Sequence, residues 1–293
     1  MKSGMLYVLI TALLFTTYEP LAKLIAADIN PYAITAIRFF IGALVLLPFS
    51  IRDMKAKNIK LTGKDYGIMG GLGVLFICVS MTLLQIAIKV ATSPALIAII
   101  FSSNSIWTIA LSAIFLNVKL TKTKILGIVL CVFGVILSAD LSKGSNLLSV
   151  VLAFLSALTF SVYTVLSKKY MTSVSGLVQT GISFLLGSVI LSIILMIFKV
   201  DIIGGITKEN ILLLLFVSVM VTGVGYWAYF SAMRVGGAQM AALSFFVKPI
   251  LTPFATFIIN AIVPGTNIIL AVVLVVLGAT LAGDILKFKK LNS

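Results

Sequence analysis

Three charged side chains lie deep inside long apolar stretches of the sequence: Glu19, Arg38 and Lys248. A charge at the centre of a membrane-spanning helix costs about 2.5–3.5 kcal/mol, so such residues usually face a partner, a cavity or a transport pathway. Glu19 and Arg38 have similar predicted depths and can form a pair, which would be either structural or part of a binding site. Lys248 is too far from both ends of its segment to reach water easily, and we expect it to face a wet cavity.

Polar and aromatic residues in other apolar segments are further candidates for that cavity. Ser103 and Asn104 form a polar strip just before Trp107, which indicates either a lining or hydrogen bonding between helices. Other aromatic residues lie deeper than the headgroup belt where such residues usually occur. Their rings can accept an apolar side chain or an organic cation. They are Tyr18, Tyr163, Tyr226 and Trp227.

The segments that carry these residues are typical of a membrane protein. Hydrophobic residues make up 61% of the 293 positions and the mean hydropathy is +1.22, against roughly 45–50% apolar residues in soluble domains. We predict an all-α membrane protein with ten transmembrane helices. They lie at about 4–26, 31–50, 66–88, 93–116, 124–139, 147–167, 174–198, 210–232, 238–262 and 267–286.

The second half of the sequence repeats the first. FTTYEPLAK begins at Phe15 and FSVYTVLSK at Phe160, an offset of 145 residues that also aligns Gly42 with Gly187. We predict one five-helix repeat at 1–140, a second at 147–286 and a cytoplasmic basic tail at 287–293. Because five is odd, the two repeats have inverted topology, and substrate sites form where such repeats meet.

The net charge of +14 does not indicate nucleic-acid binding, because the basic residues lie mostly at helix ends. Fifteen of the 22 fall on one side of the predicted helices and five on the other. This asymmetry predicts a multi-pass protein of the plasma membrane with both termini in the cytoplasm.

Several classes of chemistry find no support in the sequence. It contains no histidine and two cysteines, Cys78 and Cys131, both in apolar segments. We therefore predict no metal site, no cofactor and no enzyme activity. No nucleotide-binding P-loop is visible. Proton coupling would need a carboxylate, for which Glu19 is the candidate.

Small residues predict where helices pack closely. Gly67 and Gly71 form a GxxxG pattern in the third predicted helix, and Gly127 and Gly134 stand seven residues apart in the fifth.

The chain resembles the EamA-type members of the drug/metabolite transporter superfamily. The resemblance rests on the two aromatic-to-lysine stretches above and on the ends of the halves, TKTKILGIVLCVFGVILS and TNIILAVVLVVLGATLA. It implies a central cavity lined by helices one to four and six to nine, with helices five and ten at the periphery. Similar proteins move amino acids and other small metabolites, frequently outward, and smaller relatives exchange organic cations for protons. A glutamate common before the last helix of each half is replaced by Val118 and Ile262.

The leading hypothesis is a secondary active transporter that moves amino acids or similar small zwitterionic metabolites by alternating access, as an exporter. Lys248 would bind the carboxylate, Glu19 the ammonium or a proton, and Arg38 would adjust the proton affinity of Glu19. The alternative is a proton-coupled organic-cation or drug exporter, which a lysine in the pathway disfavours. A passive channel or a lipid scramblase is the third interpretation. The predicted partners are a small-molecule substrate, the lipid bilayer and protons, with no nucleic acid; a homodimer is compatible with the sequence.

Overall fold

The computed structural model describes residues 2–117, 119–138 and 146–282, and every regular element in those ranges is helical. The all-α prediction is therefore confirmed. Most of the predicted seam between the halves, the basic tail at 287–293 and Val118 lie outside the described residues. Numbered in chain order, the helices are α1 Lys2–Ile25, α2 Pro31–Ala56, α3 Gly63–Val90, α4 Pro94–Phe115, α5 Lys122–Ser138, α6 Leu147–Tyr170, α7 Gly176–Ile197, α8 Ile211–Gly237, α9 Leu243–Asn260 and α10 Thr266–Ala282.

Eight of these helices, α1–α4 and α6–α9, are long and apolar enough to cross a membrane. α10 is a shorter apolar helix of 17 residues, and α5 has the same length. The largest difference from the predicted ends is in α2, which continues to Ala56. Its C-terminal end carries Arg52, Asp53 and Lys55. These charged residues end the apolar run on which the prediction rested, but they are compatible with a continuing helix.

Two helices contain a π-helical segment, Val74–Met81 in α3 and Val217–Val224 in α8. In each, a threonine hydroxyl donates to a carbonyl five residues earlier: Thr82 to Ile77 and Thr222 to Val217, both at 2.9 Å. These bonds satisfy carbonyls that the wider turn leaves without their usual amide. The two segments lie at corresponding places in the two halves and both reach the centre of the bundle.

The helices pack across the two halves of the chain. α1 lies against the stretch Gly225–Asn260, α2 against α7 and α8, α3 against α6 and α7, α4 against α6, and α5 against α10.

Glycines fix the closest approaches. A Cβ built on Gly73 in α3 would lie 2.3 Å from a carbonyl oxygen of α7, and one on Gly127 in α5 would lie 2.4 Å from the carbonyl oxygen of Gly278 in α10. The packing prediction is wrong for Gly67 and Gly71, where a built Cβ would meet no atom of another described element within 4 Å.

Between α8 and α9 the chain bends at Gly236 and Gly237. Gly237 has φ +74°, a conformation that residues with a Cβ adopt rarely. The bend lets the end of α8 and α9 both pack on α1, and it brings Lys248 towards the centre of the bundle.

Candidate functional site

A cavity of about 40 Å³ lies at the centre of the bundle, between the two halves. Six aromatic residues line it: Phe15, Tyr18, Phe101, Phe160, Tyr226 and Phe245. The other lining residues are Arg38, Met81, Leu84, Val221, Thr222 and Lys248. A water needs roughly 10–15 Å³ of such volume, so the cavity has room for a few waters. A molecule the size of an amino acid requires a wider cavity.

Lys248 forms a buried ion pair with Glu19. The Nζ of Lys248 donates to Oε1 of Glu19 at 2.5 Å and joins α9 to α1. Glu19 is 0% exposed and Lys248 4%, so water screens the pair little. The other carboxylate oxygen, Oε2, has no hydrogen-bond partner among the described residues. The pair therefore neutralises the two charges but leaves acceptor capacity on the glutamate.

Each member of this pair precedes a proline, Pro20 in α1 and Pro249 in α9. Proline removes one backbone donor and bends a helix locally. The Nδ2 of Asn260 donates to the carbonyl of Pro20 at 3.1 Å and gives the two helices a second polar contact. The sequence thus marks both helices as irregular where the charges meet.

Arg38 does not pair with Glu19, contrary to the expectation from their depths in the sequence. Its guanidinium carbon lies 4.0 Å from the ring centre of Tyr18 and 4.2 Å from that of Phe39. Arg38 is 4% exposed, yet its Nε and Nη2 have no hydrogen-bond partner among the described residues. A buried cation thus lines the cavity without an acceptor for these nitrogens.

Tyr18 connects this cation to α3. Its hydroxyl donates to Oε1 of Gln85 at 2.6 Å, and both side chains are buried. The ring is therefore held by a hydrogen bond at one end while its face supports the guanidinium.

The polar strip of α4 satisfies itself and is not part of the cavity lining. Ser103 donates to the carbonyl of Ile100 at 2.6 Å and accepts from Nε1 of Trp107 at 3.1 Å. Asn104 donates to the carbonyl of Phe101 at 2.7 Å. The helix breaks at Ser103, and these side chains form hydrogen bonds to backbone carbonyls next to the break.

Of the remaining aromatic candidates, one lines the cavity and two do not. Tyr226 lines the cavity, whereas Tyr163 and Trp227 are not among its lining residues. The Tyr163 hydroxyl accepts from Gln179 at 3.2 Å. Trp227 packs against Tyr7 with ring centres 5.6 Å apart. Of the ten candidates from the sequence, four line the cavity and Glu19 contacts one of those four.

Phe15 and Phe160 are cavity residues that the sequence reasoning did not select. They occupy equivalent positions of the two halves, 145 residues apart. The repeat itself was therefore a signal for them, because residues at equivalent positions near a symmetry axis lie on opposite walls of one cavity.

A second polar cluster lies away from the cavity, at the C-terminal end of α2. The carboxylate of Asp53 accepts from Ser175 at 2.5 Å and pairs with Lys57 at 3.0 Å and with Arg234 at 3.6 Å. Ser175 is the N-cap of α7, where its oxygen accepts from the amide of Val178. Asp53 thus ties α2 to α7 and α8. Within the described residues no group of three or more Cys, Asp or Glu could hold a metal ion.

The model of the EamA-like transporter family matches the chain twice, at residues 2–139 and 147–283. The chain belongs to the EamA-like transporter family. A protein of Clostridium kluyveri named "uncharacterized transporter" is 32% identical over 95% of this chain and 92% of its own length. The uncharacterized transporter YyaM of Bacillus subtilis is 25% identical over 93% and 91%. This EamA-like chain also shares the fold of a crystal structure with TM-score 0.66 and 18% identity, covering 100% of both chains.

The resemblance to EamA-type transporters seen in the sequence is thereby confirmed. Membership in the family makes the chain a membrane transporter, and the eight long apolar helices agree with this. A transporter needs a site that binds its substrate inside the bundle. The cavity with Arg38 and Lys248 is our candidate for that site.

Proposed function

We propose that the protein is a secondary active transporter that moves small zwitterionic metabolites, such as amino acids, by alternating access. The observation that carries the proposal is the central cavity, which both halves line and which contains buried charge. Carriers of this kind bind their substrates where two repeats meet. The excess of basic residues on one side supports a plasma-membrane protein with cytoplasmic termini, and the family resemblance supports export.

Ten crossings in two inverted repeats are part of this proposal. At 1.5 Å per residue, α5 and α10 are about 26 Å long, near the lower limit for a membrane span. Five helices in each half place the second half in the opposite orientation. The double match of the family model, once in each half, supports a duplication.

Helix packing supports a two-fold relation between the halves. Under the offset of 145, the contact of Gly73 with Gly187 becomes that of Ser218 with Gly42, and a Cβ on Gly42 would lie 3.4 Å from the Ser218 carbonyl oxygen. Other cross-half packing pairs have mates of this kind: α1 with α9 corresponds to α6 with α4, and α3 with α7 to α8 with α2. If the two repeats exchanged their conformations, the cavity would open to each side of the membrane in turn.

Polar groups without partners favour a zwitterion. Among the described residues, Nε and Nη2 of Arg38 are buried donors without acceptors, and Oε2 of Glu19 is a buried acceptor without a donor. A molecule with a carboxylate and an ammonium can supply both missing partners, the carboxylate to Arg38 and the ammonium to Oε2 of Glu19. Glu19 is also the proposed proton-coupling residue, because its carboxylate is buried and bonded to the cavity residue Lys248.

The alternative is a proton-coupled organic-cation exporter, and the six aromatic rings of the cavity favour it. The buried guanidinium of Arg38 opposes it, because a second cation in this low-dielectric space is repelled. We rank this function second for that reason.

The test is counterflow in proteoliposomes. Vesicles loaded with each of 20 amino acids, or with a panel of organic cations, are diluted into trace labelled substrate. We expect saturable, transient accumulation with at least one amino acid. Uptake that follows the gradient without saturation would indicate a channel, and counterflow with cations alone would favour the alternative. An imposed pH gradient that changes the rate would support proton coupling.

A further inference from the structure

Arg38 is the part of the cavity whose bonding is least complete. The Nε and Nη2 atoms carry three N–H groups, and none has an acceptor among the described residues. Leaving such donors buried costs free energy. A bound molecule with an acceptor group can supply the missing bonds.

Two aromatic rings hold the guanidinium in a fixed orientation. Tyr18 lies 4.0 Å from it and Phe39 4.2 Å. Tyr18 is anchored by its bond to Gln85, and Phe39 packs edge-on against Phe184 with ring centres 4.7 Å apart. Contact with the ring faces uses none of the N–H groups on Nε and Nη2, which therefore stay available for hydrogen bonds.

The charges around the cavity do not balance. Lys248 and Glu19 neutralise each other in their ion pair, and within the described residues Arg38 has no carboxylate partner, so it contributes an uncompensated positive charge there. An anion that enters the site gains both the Coulomb attraction and the free N–H groups. A cation gains neither.

We propose that Arg38 binds the carboxylate group of the transported molecule, which makes the substrates small organic carboxylates with an apolar remainder. This inference rests on the proposed function and assigns to Arg38 the role that the sequence suggested for Lys248. A guanidinium fork matches the two oxygens of a carboxylate, whereas an ammonium is a point charge. The aromatic walls accommodate the apolar part.

Three related compounds separate the contributions of the two charged groups. L-Leucine has both groups, 4-methylpentanoate lacks the amine, and 3-methylbutylamine lacks the carboxylate. Each is titrated into the purified full-length protein in detergent, and the melting temperature is recorded, since a ligand of the folded state raises it. Competition with counterflow in proteoliposomes gives an independent affinity.

We expect both carboxylates to raise the melting temperature and the amine to leave it unchanged. Arg38→Lys should weaken carboxylate binding at least about tenfold, because charged hydrogen bonds are lost while the charge remains. The matched control is Ser183→Ala, which changes the equivalent position of the second half. Ser183 is buried and not a lining residue, so carboxylate affinity should stay within about twofold.

The melting temperature of the ligand-free protein distinguishes a structural role of Arg38 from a role in binding. Arg38→Met removes a buried charge without acceptors and should raise the melting temperature of the ligand-free protein while it abolishes carboxylate binding. A lower melting temperature combined with unchanged carboxylate affinity would overturn the inference. Failure of both carboxylates to bind the wild-type protein would also overturn it.

Failure of this inference and failure of the proposed function give different results. If wild-type vesicles show counterflow that depends on the amine alone, the protein is a carrier and the role of Arg38 is rejected. If 4-methylpentanoate binds through Arg38 but L-leucine does not, the role of Arg38 stands and the zwitterion class is rejected. If carboxylates bind but no substrate shows saturable counterflow, the carrier mechanism is rejected.

Discussion

The ion pair of Glu19 and Lys248 predicts a strongly non-additive double-mutant cycle. The Nζ and Oε1 atoms are 2.5 Å apart, and the residues are 4% and 0% exposed. Removing one partner of such a pair costs about 3–5 kcal/mol, because the other charge remains buried. Oε2 of Glu19 already lacks a partner among the described residues, so Lys248→Met leaves the whole carboxyl group without one there. That carboxyl group can take up a proton instead, which places the expected loss near 3 kcal/mol.

Replacing both residues by methionine removes both charges. We expect the double variant to be within about 1 kcal/mol of the wild type or more stable, since apolar substitutes for a buried pair are often neutral or stabilising. Unfolding of the purified protein in mixed micelles with rising SDS, followed by circular dichroism, gives the four free energies of the cycle. The predicted coupling energy between the two positions is at least about 3 kcal/mol.

The result that refutes this reasoning is additivity. A coupling energy below about 0.5 kcal/mol would mean that the two side chains act independently. The double variant also tests function, because it folds without either charge. Unchanged counterflow and an unchanged response to a pH gradient would make the pair purely structural and remove Glu19 as the proton-coupling residue.

Three further predictions concern other parts of the bundle. Gly73→Ala places a methyl group 2.3 Å from a carbonyl of α7 and should lower the free energy of unfolding in SDS by about 1–3 kcal/mol. Gly71→Ala should leave it unchanged, because the added methyl group meets no described atom of another element within 4 Å. Equal losses in the two variants would contradict the packing. Asp53→Asn should increase the labelling of cysteines introduced at the neighbouring ends of α7 and α8, because the bonds of Asp53 to these helices weaken. Lys57→Ala removes a half-exposed partner and should have little effect. Unchanged labelling in Asp53→Asn would contradict this role of Asp53. Trp107→Phe should keep the KM of transport within about twofold, because Trp107 is not a lining residue. A tenfold rise in KM would indicate that Trp107 contacts the substrate.

The sequence was sufficient for the membrane class and for the all-helical structure. Long apolar segments can only be helices in a bilayer, since each backbone group must find its partner within the segment. The cost of an intramembrane charge was enough to select Glu19, Arg38 and Lys248. Depth along a helix did not reveal which of them meet, because it says nothing about the direction in which each side chain points.

The tertiary structure decided the pairing. Glu19 lies on α1 and Lys248 on α9, separated by 229 residues, and only the packing of these two helices brings them together. The same packing leaves Arg38 beside two rings, with no acceptor for its Nε and Nη2 among the described residues. It also separates Tyr226 from its sequence neighbour Trp227, because adjacent residues of a helix face about 100° apart. Residue types and their periodicity therefore determined which groups are buried in the bundle, whereas the contacts between helices distant in the chain determined which of them face the cavity.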